Sequence, residues 1–529
     1  MKLARLMPQL GMGFSTCCFI SAVQAGIPVW SFTPDVNHPP RTSVASTGTV
    51  LVQYTVSNNS LNPHTLVLRP QTGVSQNSPC LLGPRGSASS TCLLSLTING
   101  ATLPTSGLSG GPILCQANPD GSPNPTECYG PTAGDILAVN VVQELSASTA
   151  NLALSVTGLT LNGLPSGQSR FITITNNGTT PTTGLIINYP TWPTGTTVDT
   201  SSPSACTNGT VLPAGGSCTI TIVPGARATS GEMNAACTAG IAPIPGVITV
   251  TANNALQTTI NVEVLSYGCI YQGGYIYAMT ETANRSQSIG GTVTALTDQV
   301  PRFPNGINWS SNGAVGHGVG GFDAEDVSND LIPGVNELST PLASSPTFSD
   351  FQTFFAATYN NPNPFTSSSF RACEGSSDGQ CNSANILTFY DTLITHFNAI
   401  PPATPPFTAT LEPTPLTYYA AGFCAQSING YAGWYLPAIC QMGPGAICTA
   451  GTQNIVDNLP DLIGHPASMD PDTSCVYGSN CLAGSFWSST EFSTFSADNA
   501  WVEGFDSTGS GQGNGVKYYL MGVRCSRNF

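Results

Sequence analysis

Two stretches of this chain repeat one another closely enough to fix a fold class. Residues 54–70, YTVSNNSLNPHTLVLRP, align with 172–190, ITITNNGTTPTTGLIINYP: a β-rich run, an Asn-Asn turn, a polar loop and a second β-rich run. After each comes a pair of cysteines with eleven residues between them, Cys80 and Cys92, then Cys206 and Cys218. The second cysteine of each pair opens an alternating segment, Cys92-Leu93-Leu94-Ser95-Leu96-Thr97-Ile98 or Cys218-Thr219-Ile220-Thr221-Ile222. Alternation with period two marks strands with one buried face. Many short strands separated by turn residues make a β-sandwich of immunoglobulin-like type. Two features recurring in the same order imply duplication, with one sandwich over 26–147 and a second over 148–265. The two cysteine pairs are expected to bridge and to staple a hairpin or an edge loop. Cys115 and Cys128 bracket ANPDGSPNPTE, a turn-rich insertion that the second module lacks.

The composition belongs to an exported protein. Lys2 and Arg5 precede an apolar stretch containing Phe14, Cys17, Cys18, Phe19 and Ile20, and Val23-Gln24-Ala25 supplies the small residues of a cleavage site. Residues 1–25 therefore read as a secretory signal. A lipoprotein signal would acylate Cys17, but Phe14-Ser15-Thr16 is a poor lipobox. Cleavage after Ala25 leaves sixteen of the eighteen cysteines, an even number that argues for a disulfide framework outside the cytoplasm. It also leaves 11 basic residues against 28 acidic ones. No later run is long and apolar enough for a membrane helix. The acidic balance argues against nucleic acid as a partner.

Beyond 265 the pattern changes. CIYQGGYIYAM (269–279) reads as a strand pair around a Gly-Gly turn. Residues 301–350 are rich in Gly, Asn, Ser and Asp and read as long ordered loops. FQTFFAATY (351–359) and ILTFYDTLITHFN (386–398) carry helical periodicity, and the six prolines of 400–415 rule out a helix there. The last hundred residues hold WYLPAIC (434–440), FWSSTEF (486–492), NAWVEGF (499–505) and GVRCSRNF (522–529), read as aromatic strands with Trp434, Trp487 and Trp501 in the core. Cys525 would tie the last strand to an earlier element, most simply through Cys424. Local pairs are expected at Cys373 with Cys381, Cys440 with Cys448, and Cys475 with Cys481. By elimination Cys237 would pair with Cys269.

Together these signatures make residues 266–529 resemble the C-terminal domain of Lcl-type bacterial collagen-like surface adhesins, which is related to the formylglycine-generating-enzyme and C-type lectin-like folds. The sandwiches resemble bacterial surface Ig-like repeats. The expected fold is therefore two all-β Ig-like sandwiches followed by an α+β, C-type lectin-like head with a small antiparallel sheet. The resemblance implies a non-enzymatic, secreted or cell-surface binding or adhesion protein of a bacterium, with the sandwiches as a spacer in place of a collagen-like stalk. The alternatives are a secreted glycan-active enzyme and a structural envelope or fibre component.

The resemblance also suggests chemistries for which this chain lacks the residues. Lectin-type calcium capture needs an amide that Glu412-Pro413-Thr414 lacks, and Asp498-Asn499-Ala500-Trp501 has another order. Oxidase chemistry needs free cysteines, yet a bridge partner is expected for each mature cysteine. The adhesins' association with sulfated glycosaminoglycans needs a basic face. Residues 266–529 hold six basic side chains against twenty acidic ones, leaving only a local patch of Lys517, Arg524 and Arg527 for polyanions.

His38, His64, His317, His396 and His465 lie outside recognisable catalytic or metal-binding motifs, so neither catalytic residues nor a cofactor are expected. The exception is an acidic knot, Asp323, Glu325 and Asp326, whose oxygens could take calcium. The ligand face is placed on DSTGSGQGNGVKYY (506–519), read as a glycine-rich loop that presents Asp506, Gln512, Asn514, Lys517, Tyr518 and Tyr519 to a glycan or protein ligand, with self-association as the alternative. Its plain alternative is a hairpin tip without a partner.

Overall fold

The computed structural model describes residues 28–161, 163–229, 242–300, 306–309, 330–341, 346–359, 363–399, 416, 419–463, 481–506 and 509–529. The chain divides into two compact units, Met1–Glu144 and Leu145–Phe529.

Alternation builds the first unit as the sequence requires. Its strands are β1 (Trp30–Pro34), β2 (Arg41–Ala45), β3 (Thr49–Asn58), β4 (His64–Leu68), β5 (Val74–Gln76), β6 (Cys80–Leu82), β7 (Thr91–Asn99), β8 (Leu108–Ser109), β9 (Leu114–Ala117), β10 (Pro123–Tyr129) and β11 (Ala138–Val142). They form sheets of order β1-β3-β7-β5, β10-β9-β4-β6 and β2-β11-β8. Val52, Tyr54 and Val56 of β3 and Leu94, Leu96 and Ile98 of β7 point inward with Trp30, Leu66 and Leu114, all fully buried. Each such aliphatic side chain contributes about 1.5–3 kcal/mol by leaving water. The Cys80–Cys92 bridge departs from expectation. It joins β6 to β7, strands of different sheets, so it clasps the two layers rather than stapling a hairpin. Cys115 and Cys128 are bridged directly across the β9–β10 pair, which makes the inserted segment a hairpin.

The second unit opens with the duplicate. Its strands are β12 (Leu145–Ala147), β13 (Asn151–Ser155), β14 (Arg170–Asn176), β15 (Ile186–Asn188), β16 (Thr197–Asp199), β17 (Ser217–Val223), β18 (Gly246–Ala252) and β19 (Ala255–Leu265), in sheets β12-β14-β17-β16 and β13-β19-β18-β15. The repeat reaches individual atoms. Asn58 Nδ2 donates to the Asn62 and Gly83 carbonyls while its Oδ1 accepts from Ser60 N–H. Its counterpart Asn176 donates to the Thr180 and Leu212 carbonyls while its Oδ1 accepts from Gly178 N–H. A parallel pair joins an early strand to the last strand in both, β2 with β11 and β13 with β19. Cys206 lies after β16 and bridges to Cys218 on β17, here the expected edge-loop staple.

Residues beyond 265 belong to the same unit as the second sandwich. Strands β20 (Ile270–Tyr271), β21 (Gly274–Thr280) and β22 (Gly290–Ala295) are followed by helices α1 (Phe348–Tyr359), α2 (Gly379–Ala399) and α3 (Ala420–Cys424). Then come β23 (Trp434–Tyr435), α4 (Ile439–Met442), α5 (Ile455–Asn458), β24 (Gly484–Glu491), β25 (Asn499–Asp506), β26 (Gly509–Val516) and β27 (Ser526–Asn528). One sheet has the order β20-β21-β22-β27-β23, the other β24-β25-β26. The turn between β20 and β21 is Gln272-Gly273, at φ 44° and 89°, so Gly274 already belongs to the strand. Helix α2 begins seven residues before the apolar periodicity does. Its first turns are fixed by polar contacts instead, Asn382 donating to Gly375 O at 2.7 Å and Asn385 to Pro333 O and Arg371 O at 3.0 and 2.9 Å. Phe351 and Phe355 of α1 pack against Phe365, which stacks on Phe389 of α2 at 5.6 Å.

The bridges Cys373–Cys381, Cys424–Cys525 and Cys440–Cys448 form as read from the sequence. All fourteen described cysteines are disulfide-bonded, Cys269 and Cys481 among them. Their expected partners Cys237 and Cys475 lie outside the described residues, as do the signal segment, Glu412-Pro413-Thr414, His317 and the Asp323, Glu325 and Asp326 knot. No helix among the described residues is long and apolar enough to cross a membrane.

Candidate functional site

The glycine-rich segment expected to be a loop is largely a strand. All eight residues of β26 pair with β25, from Asp506↔Gly509 to Asn499↔Val516. At one of its four glycines packing requires the small residue: a Cβ on Gly515 would sit 3.2 Å from the buried Trp487 ring and 2.6 Å from Met521. Pairing therefore separates the residues expected to act together. Gln512 turns inward and donates from Nε2 to Gly443 O at 2.9 Å, holding down the loop closed by Cys440–Cys448. Asn514 is exposed, and its Oδ1 accepts from Asn499 Nδ2 at 2.7 Å. Tyr518 and Tyr519 follow the strand with their rings edge to face at 5.1 Å, and Tyr519 is exposed. Asp506 ends β25, and its side chain lies outside the described residues.

Lys517 is the clearest correction. It is fully buried, so it cannot belong to an exposed ligand face or a basic patch. Its Nζ contacts Asp330 Oδ1, Glu491 Oε1 at 2.7 Å and the backbone oxygens of Asp330 and Ser496 at 2.6 and 2.8 Å. The Trp309 ring lies 4.4 Å from the nitrogen. Burial pushes the Glu491 carboxyl up to about 8, opposed by Lys517 and reinforced by Asp330. Arg524 is likewise engaged internally, with Asp298 at 2.6 Å, and Arg527 donates to Ala432 O and Gln272.

The exposed chemistry lies one strand over. Trp434 and Trp487 are core residues as expected, but Trp501 is only half-buried. It faces Asn514 across the β25–β26 pair, and the Phe492 ring meets it edge-on at 5.1 Å. Phe495 lies 6.4 Å from Phe492 and is 58% exposed. Phe492, Phe495 and Trp501 thus form an aromatic surface beside the Asn499–Asn514 amide pair. Such a surface can stack on an apolar ring face while the amides address hydroxyl groups. Phe492 and Phe495 were missed by sequence reasoning. Their signal is two phenylalanines three apart in a run otherwise of Ser and Thr, FSTF.

Beside this surface Glu503 is fully buried, and burial pushes its carboxyl up to about 8, opposed by the Gln512 and Ser510 side chains. The nearest approach to a nucleophile arrangement is Ser60, whose Oγ is 2.7 Å from His64 Nε2, with His64 Nδ1 2.8 Å from Gln116. That hydroxyl also accepts from Asn62 N–H and so fixes its own turn. Among the described residues no group of three or more His, Cys, Asp or Glu is placed to hold a metal.

The described molecule is a disulfide-bonded, multi-sheet β protein with an aromatic and amide surface near its last strands. No family model and no curated protein matches it. Among solved structures it is similar to a protein of unknown function from Porphyromonas gingivalis W83, at 14% identity over 45% of this chain and 99% of that one, TM-score 0.17. Domains 4 and 5 of the S-layer protein SbsC match at 12% identity over 30% and 66%, TM-score 0.16. The complex of Dpr2 Ig1-Ig2 with DIP-Theta Ig1-Ig3 matches at 10% identity over 44% and 99%, TM-score 0.20. Scores at this level do not place the chain in a fold family.

Proposed function

We propose that this is an exported bacterial surface or secreted binding protein, without enzymatic activity, whose lectin-like region 266–529 captures a neutral glycan, with Ig-like sandwiches as its spacer. The observation that carries the reading is the exposed surface of Phe492, Phe495 and Trp501 beside Asn499 and Asn514. Aromatic faces suit the C–H faces of a sugar ring, and the single Asn499–Asn514 bond leaves the pair three amide N–H donors and the Asn499 oxygen for its hydroxyls. Internal use of Lys517 and Arg524 removes the basic patch a sulfated polymer would need, which favours an uncharged ligand. Bridging of every described cysteine supports an oxidising compartment.

The test is a panel of neutral and sulfated glycans probed with the exported chain and with a Phe495→Ala, Asn514→Ala double variant. Binding to a neutral glycan should fall by about tenfold or more, ~1.4 kcal/mol, with the melting temperature unchanged. Equal binding by the variant, or a preference for sulfated polymers, would overturn the reading. A panel blank throughout would favour a structural envelope component.

A further inference from the structure

Lys517 is the one lysine of the chain beyond Lys2, and it is fully buried. Among the described residues the other ion pairs buried on the cationic side use arginine, Arg170 with Glu281 and Arg524 with Asp298. Arginine makes the better buried ion pair, being more weakly hydrated and forked to match a carboxylate. Lysine differs in one respect that matters here: it can lose its proton and become a nucleophile. Four oxygens surround Nζ, those of Asp330 Oδ1, Glu491 Oε1 and the Asp330 and Ser496 carbonyls, whereas an ammonium has three protons to donate. Asp330 is held from its far side by the Tyr390 hydroxyl, which donates to Oδ2. Asp330, Glu491, Lys517 and Tyr390 are all buried, and Trp309 covers the nitrogen.

We propose that Lys517 and Asp330 become joined by an intramolecular amide bond between Nζ and Cγ, formed once the chain has folded, with Glu491 as the proton carrier. The nitrogen attacks Cγ, the Nζ–Cγ bond forms and the Cγ–Oδ1 bond breaks. The two protons the ammonium gives up leave with Oδ1 as water, passed through Glu491 Oε1. Oδ2 carries the negative charge of the tetrahedral intermediate, where the Tyr390 hydroxyl already donates to it. No oxidant or activating group is needed. In water the hydration of separated ions opposes such a condensation. In a closed core that hydration is already lost and the partners are held together, so both obstacles shrink. Burial raises the Glu491 carboxyl toward neutral pH, where it can both take and give a proton.

The lysine inventory makes the test direct. The exported chain is reduced, denatured, treated with an amine-reactive reagent and mapped after trypsin digestion. The expected result is an unlabelled Lys517, no cleavage after it, and residues 303–371 covalently joined to 372–524 at one water below their summed mass. A labelled Lys517 and separate fragments would overturn the proposal outright. In a Glu491→Gln variant the joined fragment should be lost and Lys517 become reactive, and persistence of the joined fragment would overturn the role given to Glu491. Should that variant fail to fold, the wild-type map alone decides whether the bond exists.

Discussion

Glu503 is a carboxyl buried inside a folded sheet, and it makes stability depend on pH in an unusual direction. Its folded value is raised from 4.5 to about 8, so between those limits the native chain keeps a proton that the unfolded chain releases. This contribution is fully present below pH 4.5 and is lost as pH rises toward 8, at up to ~1.4 kcal/mol per pH unit for one group. The expected outcome is a melting temperature that falls from pH 5 to 8 in wild type and falls less in Glu503→Gln. Parallel curves for the two proteins would show that Glu503 does not titrate in this window. The same residue scale marks what the sequence did not disclose. Cysteine pairs eight to thirteen residues apart were readable, because a short loop leaves few partners. Lys517 was not, because a lysine among glycines reads as solvated, and its carboxylates lie 26 and 187 residues away in sequence.

Among the elements, β26 shows how a pattern can be read correctly and still mislead. Glycine is poor strand material when nothing pairs with it, but β25 supplies eight partners, and at Gly515 the Trp487 ring takes the space of a side chain. Trp487 and Trp501 stand in adjacent strands with similar neighbours in sequence, yet one is enclosed and the other lies at the edge of the aromatic surface. Trp487→Ala should therefore cost about 3–5 kcal/mol in denaturant unfolding, as expected for a buried aromatic. Trp501→Ala should cost clearly less, about 1 kcal/mol. Equal losses would place Trp501 in the core after all. The start of α2 was hidden for a related reason: Asn382, Ser383 and Asn385 are buried polar residues, and apolar periodicity does not register them.

At the scale of the second unit, the sandwich and the region after 265 are held together by chemistry as well as by the chain. Arg170 of β14 pairs with Glu281 just after β21, both side chains fully buried, and Arg170 Nη1 also donates to Thr282 Oγ1 at 2.9 Å. Ser155 of β13 donates to the same carboxylate. Ala153, Val264 and Leu265 of the sandwich share one apolar cluster with Ile276 and Met279 of β21. Arg170→Ala should strand the Glu281 carboxylate and destabilise the unit by about 3–5 kcal/mol, whereas Arg170→Met with Glu281→Leu should recover most of that loss. Calorimetry on 145–529 would check both. A sandwich transition that stays put while only the later region melts earlier would show that the two are not coupled. Period-two alternation made the strands on both sides of residue 145 legible. This joint was not, since nothing local in either sequence announces a partner 111 residues away.

Strand β27 lies between β22 and β23, and Cys525 just before it is bound to Cys424. Biosynthesis delivers the chain in order, so the five-stranded sheet has a gap in its interior until β27 has been made. Until then β22 and β23 expose unpaired edges and Cys424 carries a free thiol, open to mispairing with whichever cysteine arrives first. Maturation of this region therefore waits on β27, and the oxidation of Cys424 records the moment when the sheet closes.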